Sequence, residues 1–143
     1  MAEVISEELA CDLEAIISKR GRGGLIGFLI SGYEAYTKKL AEIGEIKNDP
    51  SGYDLVIIGT PIWSLRVSSP VRTYIVKNRD RLKRVAFLLV YGGTGLESAV
   101  SDLEQLLGKK PAGILTLKTM DVAQEKYLEE AKGFVASLSQ GDN

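Results

Sequence analysis

Histidine is the most informative absence in this sequence, because none of the 143 residues is a histidine. Its absence excludes histidine metal sites, Ser-His and Cys-His nucleophile pairs, and the usual general base near neutral pH. We therefore expect any chemistry of this chain to be done by a bound cofactor.

Cysteine is almost as scarce, because Cys11 is the only one in the chain. A disulfide within the chain is impossible, and we expect a reducing, cytoplasmic environment. The formal net charge of −1 provides no global attraction for nucleic acid or for an anionic membrane. The acidic, helix-like N-terminal sequence is not typical of a signal peptide, and no apolar run reaches the ~20 residues of a membrane span.

Hydrophobic residues are plentiful, at 45%, which is enough for one packed domain over residues 1–143. Apolar runs and periodicity predict strands at residues 11–17, 55–59, 85–90 and 112–117. They predict helices at residues 4–9, 70–78, 96–107 and 122–138. This alternation predicts an α/β fold, a three-layer, doubly wound parallel sheet with right-handed crossovers.

Residues 25–43 are unusual, since apolar and aromatic side chains recur there at helical spacing among several glycines. One interpretation is a helix or lid that packs on its own domain. The other is a surface for a partner or for a second copy in a homodimer, because exposed apolar patches often mark interfaces.

A basic cluster precedes the strand predicted at residues 85–90, and it consists of Lys77, Arg79, Arg81, Lys83 and Arg84. The amino end of a strand faces away from the ligand side of an α/β sheet. The cluster is therefore interpreted as a solvated loop, with docking of an acidic protein as the alternative.

Two loops follow neighbouring buried strands, and both should lie at the carboxyl edge, where open α/β sheets bind ligands. The first is expected to begin after Gly59, because Pro61 has no amide hydrogen for a ladder. It contains Thr60, Pro61, Ile62, Trp63 and Ser64. The second contains Tyr91, Gly92, Gly93, Thr94 and Gly95, and Thr94 has capping-box spacing to Glu97.

The two loops offer complementary chemistry. Trp63 provides an aromatic plane, whereas the glycines expose backbone amides at a helix N-terminus and allow close approach. A flat heteroaromatic ring of flavin size would suit this combination. The alternative is a tryptophan packed on its own helix and glycines that only turn the chain.

Other nucleotide motifs do not fit. Residues 20–24, RGRGG, lack the order G-x-G-x-x-G, because Ile26 stands where a glycine is needed. The glycines at 92–95 are not followed by Gly-Lys-Ser/Thr, which excludes a nucleotide P-loop.

The segments YDLVIIGTPIWSLRVSSPVRTYI (residues 53–75) and VAFLLVYGGTG (residues 85–95) resemble the flavodoxin-like family of FMN proteins. The resemblance covers nearly the whole chain. It implies strand order 2-1-3-4-5, with FMN at the carboxyl ends of the strands. It also implies that residues 60–64 form the first flavin loop, with Trp63 beside the ring, and that residues 91–95 bind the polar edge of the ring.

The family begins with a central strand and a Ser/Thr-rich loop around the FMN phosphate, whereas Met1 already lies in the helix that follows them. The resemblance thus implies an N-terminally truncated version, for which we expect weak or absent FMN binding if the short chain is genuine. The true start could lie upstream, or a homodimer could fill the gap. The chain could also be a cofactor-free remnant.

The activity implied by the resemblance is electron transfer or FMN-dependent oxidoreduction. The partner would be a redox protein or a small acceptor such as a quinone. The alternative function is a non-catalytic interaction module on the same fold.

Overall fold

The structure of the protein, a computed structural model, describes residues 1–19, 40–63 and 65–140. Its helices are α1 (Ala2–Leu9), a short 3-10 helix (Pro50–Gly52), α2 (Ser69–Asn78), α3 (Leu96–Leu107), α4 (Thr119–Ala123) and α5 (Leu128–Gln140). Its strands are β1 (Leu55–Trp63), β2 (Arg66–Val67), β3 (Arg84–Tyr91) and β4 (Gly113–Lys118). The element order confirms the predicted α/β fold.

The four strands form one sheet in the order β2-β1-β3-β4. β1, β3 and β4 are parallel, whereas β2 pairs antiparallel with the last two residues of β1. The register aligns Pro61 with Val90 and Val90 with Leu117. The carboxyl ends of the three parallel strands therefore meet at one edge.

Helices cover both faces of the sheet. Val85, Phe87 and Leu89 of β3 join the core cluster that includes α2 and α3. Ala86 and Leu88 join the opposite cluster, which includes α1 and α5. All five side chains are at most 2% exposed, as expected for a continuously apolar parallel strand between two helical layers.

A buried ion pair links the two helices of the first layer. Arg72 of α2 donates to the Asp102 carboxylate of α3, and the two side chains are 4% and 3% exposed. The Arg72 Nε atom is buried and has no hydrogen-bond partner among residues 1–19, 40–63 and 65–140. The contact between α2 and α3 thus contains a buried ion pair, and removal of either partner would leave an uncompensated charge there.

β1 is longer than predicted, because it continues through Thr60 and Pro61 to Trp63. The expectation that Gly59 and Pro61 end the strand is therefore wrong. At the height of Pro61, β3 is the only strand in the described part of the chain that pairs with β1. A residue without an amide hydrogen is tolerated on such an edge strand.

The starts of α2 and α3 differ from the sequence prediction, in which Ser69 caps a helix that begins at Pro70 and Thr94 caps the next helix. Ser68 is the N-cap of α2, and Ser69 and Pro70 are its first residues. The predicted capping box of Thr94 is wrong, since Gly95 precedes α3 and no side chain caps the helix.

Residues 11–17 do not form the predicted edge strand. They run beside residues 42–48, where the Gly44 amide donates to the Ile17 carbonyl over 2.7 Å. Farther along, the Glu14 carboxylate accepts from the Lys47 and Asn48 amides at 2.7 and 3.0 Å. A side chain thus takes the place of main-chain acceptors, and no regular ladder forms.

The predicted C-terminal helix is divided into α4 and α5. Glu125 between them has a φ of 54°, which a helix cannot continue through.

Most of residues 25–43, together with Ser64, lie outside the described residues, and both interpretations of that segment stay predictions.

The hydrogen bonds from the Lys47 and Asn48 amides hold the pKa of Glu14 below its ordinary value of 4.5. Stabilisation by this carboxylate is therefore present above pH 4.5 and is lost as pH falls through the lowered pKa. We expect Glu14→Gln to lower the free energy of unfolding at neutral pH by about 1 kcal/mol, a value reduced for solvent screening. Urea unfolding of both proteins at about pH 7 and about pH 3 measures the difference. A difference of equal size at the two pH values would contradict the assignment.

Candidate functional site

The carboxyl edge of the sheet brings together the two loops that the sequence predicted to bind a ligand. Residues 60–64 are called the first segment below, and residues 91–95 the second segment. Trp63 lies two residues beyond Pro61, and Gly92 lies two residues beyond Val90, the ladder partner of Pro61. Because neighbouring parallel strands rise together, Trp63 and Gly92 reach the same height. β1 turns there into β2, with Trp63 paired to Arg66 across the hairpin.

Gly95 forms a close approach between the hairpin and the start of α3. A Cβ atom at Gly95 would lie 2.5 Å from Leu65 Cδ2 and 2.7 Å from Leu65 Cα, and both distances are below carbon contact. Gly95 has a φ of 95°, a left-handed conformation that costs glycine little. Its carbonyl accepts from the Ala99 amide at 3.0 Å. Glycine at this position lets the hairpin lie directly against the second segment.

Among the described residues of the first segment, 60–63, Trp63 and Pro61 have surface available to a ligand. Trp63 is half-buried and Pro61 is exposed. The next described residue, Leu65, is 45% exposed and has a left-handed φ of 64°. The indole therefore stands at the rim of the sheet, beside a tightly turned backbone.

Thr60 and Ile62 have a different environment from the one predicted for them. Thr60 is 3% exposed, and its hydroxyl donates to the Pro61 carbonyl at 3.0 Å and accepts from the Ser68 amide at 3.3 Å. Ile62 is 9% exposed and belongs to the core. These two side chains anchor the hairpin to the start of α2.

The second segment presents main chain to solvent. Gly92, Gly93 and Thr94 are exposed, and a Cβ atom at Gly92 or Gly93 would have no heavy atom within 4 Å. Tyr91 is half-buried and packs against the core below them. The main chain of Gly92 and Gly93 is thus open at the edge of the sheet where β1 also ends in Trp63.

The sequence did not indicate that Leu65 and Arg66 would lie at the candidate site. Arg66 is half-buried and lines a small polar cavity of about 390 Å³ together with Glu97 and Ser98 at the start of α3. No two-residue strand carries a periodicity, so the sequence pattern contained no signal for β2. Arg66 adds a positive charge close to the rim where Trp63 stands.

The basic cluster lies at the amino end of β3, away from this edge. Arg81 pairs with Asp49 at 2.5 Å, and Lys83 pairs with Asp54 at 3.0 Å. Both pairs are exposed, so each adds little to stability.

Other kinds of site find no support within the described ranges. Those ranges contain no group of histidine, cysteine, aspartate or glutamate side chains that could hold a metal ion. Within the same ranges, no helix combines the length and apolar character needed to cross a membrane.

Comparison with known proteins identifies the fold. No family model and no curated protein matches the sequence. A flavoprotein from Lactobacillus acidophilus NCFM, solved in complex with FMN, superposes with a TM-score of 0.66 and 22% identity, over 87% of this chain and 85% of its own. A candidate flavoprotein from Bacteroides eggerthii DSM 20697 superposes with a TM-score of 0.62 and 19% identity, over 91% and 87% of the two chains. This chain therefore shares the α/β fold of these flavoproteins.

Proposed function

We propose that this protein binds FMN at the carboxyl edge of its sheet, with the flavin ring between Trp63 and the backbone of Gly92 and Gly93. The observation that carries the proposal is that a tryptophan at the end of β1 and open main chain just beyond the end of β3 lie at the same edge of the sheet. An aromatic side chain stacks on a flat ring, and exposed amides donate to its polar edge.

The shared fold supports this assignment. The Lactobacillus protein, which was solved in complex with FMN, superposes over most of both chains. In open α/β sheets, ligands bind outside the carboxyl ends of the strands, where Trp63 and Gly92 stand. The chain also has no histidine, the usual general base near neutral pH, which favours chemistry supplied by a cofactor.

The activity that we propose is electron transfer or FMN-dependent oxidoreduction. Bound FMN supplies the redox chemistry, and the protein supplies binding and orientation. Pro61 and Trp63 would fix the ring against the rim and keep water from that side. The partner would be a redox protein or a small acceptor such as a quinone, in a cytoplasmic setting.

Titration with FMN tests the proposal, because Trp63 is the only tryptophan and its fluorescence reports on the rim directly. We expect saturable quenching of Trp63 fluorescence by added FMN. Two variants, Trp63→Leu and Gly92→Leu, should each weaken FMN binding about tenfold, measured from flavin fluorescence. Trp63→Leu removes the stacking plane, and Gly92→Leu fills the open space over the backbone.

The control is Gly133→Leu, which makes the same change at an exposed glycine of α5 where a Cβ atom also meets nothing within 4 Å. It should bind FMN as the parent does. Absence of saturable quenching, or equal FMN affinity in all four proteins, would overturn the proposed site.

A further inference from the structure

The buried ion pair joins the two helices that follow the two segments of the candidate site. α2 follows the first segment through β2, and α3 follows the second segment directly. Arg72 lies in the first turn of α2, where its amide donates to the Ser68 carbonyl at 3.0 Å. Asp102 lies in the second turn of α3. The ion pair therefore couples the starts of the helices to which the two segments are attached.

Each segment is held firmly to its helix. Ser68, the N-cap of α2, donates its amide to the Thr60 hydroxyl at 3.3 Å, and the preceding residue, Val67, is fully buried. In the second segment, the Gly95 carbonyl accepts from the Ala99 amide in the first turn of α3. A shift of either helix start would therefore move the segment that precedes it.

The two units, each a segment with its helix, touch closely at two separate places. One is the contact of Gly95 with Leu65, where a Cβ atom at Gly95 would lie 2.7 Å from Leu65 Cα. The other is the ion pair, which lies the same number of residues farther along in both units. A single contact would let the units pivot about it, whereas two separated contacts fix their relative orientation.

The ion pair is a directional contact. The Arg72 Nη1 atom donates to Asp102 Oδ1 at 3.4 Å, and Nη2 donates to Oδ2. A guanidinium group that bonds to a carboxylate through two nitrogens fixes both the distance and the rotation between them. Apolar packing is not directional, so apolar side chains at the same place would allow small displacements.

Stability alone does not call for charge at this contact. Val71 of α2 and Leu103 of α3 belong to one core cluster and are 4% and 0% exposed. A buried ion pair is often no more stable than apolar side chains of similar volume. The Arg72 Nε atom is also buried without a hydrogen-bond partner in the described part of the chain. These observations favour a geometric role for the pair.

We propose that Arg72 and Asp102 are positioning residues, which fix the spacing and angle between the two segments so that FMN fits between them. The pair lies within the helical layer and acts on the site through the starts of α2 and α3. This inference rests on the proposed FMN site. It assigns the buried charges a role in binding rather than in stability.

FMN titration of a double variant tests the inference. Arg72→Met combined with Asp102→Leu removes the directional contact and keeps apolar volume between the helices. We expect the folded double variant to bind FMN about tenfold more weakly than the parent, measured at about 10 °C, where domains are close to their maximum stability. Arg72→Lys is a second variant, which keeps the charge but loses the two-nitrogen contact, and it should also weaken FMN binding.

The control is Leu138→Ala, which removes packing at the opposite end of the sheet. Leu138 of α5 is 3% exposed, and its carbonyl accepts from Arg84 at the start of β3. This variant should lose stability but bind FMN as the parent does. Equal FMN affinity in the double variant and the parent would overturn the inference. So would an equal loss in Leu138→Ala, because weaker binding would then follow from lost stability.

Hydrogen exchange without FMN separates this inference from the proposed function. The Ala99 amide reports on the start of α3, and the Ala131 amide, bonded to the Tyr127 carbonyl at 2.9 Å, is a matched reference at the start of α5. In the double variant we expect Ala99 to exchange about tenfold faster and Ala131 to exchange as in the parent. If the parent does not bind FMN, the proposed function fails, and exchange at Ala99 alone decides whether the pair fixes the helix start. Unchanged exchange at Ala99 would refute the positioning role.

Discussion

Replacing Asp102 by alanine should destabilise the protein by about 3–5 kcal/mol, because it leaves the Arg72 guanidinium buried without its carboxylate. Both side chains are almost fully enclosed, at 4% and 3% exposure, so water cannot take the place of the lost partner. For a domain of this size we expect the melting temperature to fall by about 10 °C. Thermal and urea unfolding, followed by circular dichroism, measure the loss.

A double variant separates the lost charge partner from simple loss of packing. Arg72→Met combined with Asp102→Leu removes both charges and restores apolar volume between α2 and α3. Since the Arg72 Nε atom already has no partner among the described residues, removing the pair should recover at least half of the lost stability. A double variant as unstable as Asp102→Ala would show that the loss comes from packing.

Replacing Gly95 by alanine should have the second large effect, about 2–3 kcal/mol of lost stability together with weaker FMN binding. Alanine at a φ of 95° is strained, and its Cβ would lie 2.7 Å from Leu65 Cα, a main-chain atom that cannot rotate away. The hairpin after β1 would have to move away from the start of α3. Urea unfolding measures the stability, and the FMN titration described above measures the site.

Gly93→Ala is the matched control, because it makes the same change in the same segment. Its Cβ would meet no heavy atom within 4 Å, and its φ lies outside the left-handed range. We expect its stability to stay within about 0.5 kcal/mol of the parent. If Gly95→Ala were as mild as this control, the close approach to Leu65 would not be what holds the two segments together.

The sequence predicted a strand correctly where the strand is buried on both faces of the sheet. Residues 85–90 are continuously apolar, and β3 is buried on both faces, so the sequence signal and the packing agree. Residues 11–17 show the opposite case, since alternation alone predicted a strand. The Glu14 carboxylate, which bonds to the amides of residues 47 and 48, replaced the ladder that this pattern requires.

The position of the two loops at the carboxyl edge was predicted from the sequence, whereas their details depended on contacts between distant segments. Trp63 and Gly92 were placed correctly at the carboxyl edge, because strand ends and glycine turns are local signals. The inward direction of Thr60 depends on Ser68, and the role of Gly95 depends on Leu65. Neither contact follows from periodicity.

Local patterns in the sequence by themselves determined the α/β class and the buried parallel strands. They could do so because apolar runs and glycine turns act within a few residues. Only the tertiary structure decided that β1 continues to Trp63 and that Asp102 is the carboxylate that pairs with Arg72. Those features depend on which segments meet in space, and burial and main-chain pairing between distant residues settle that.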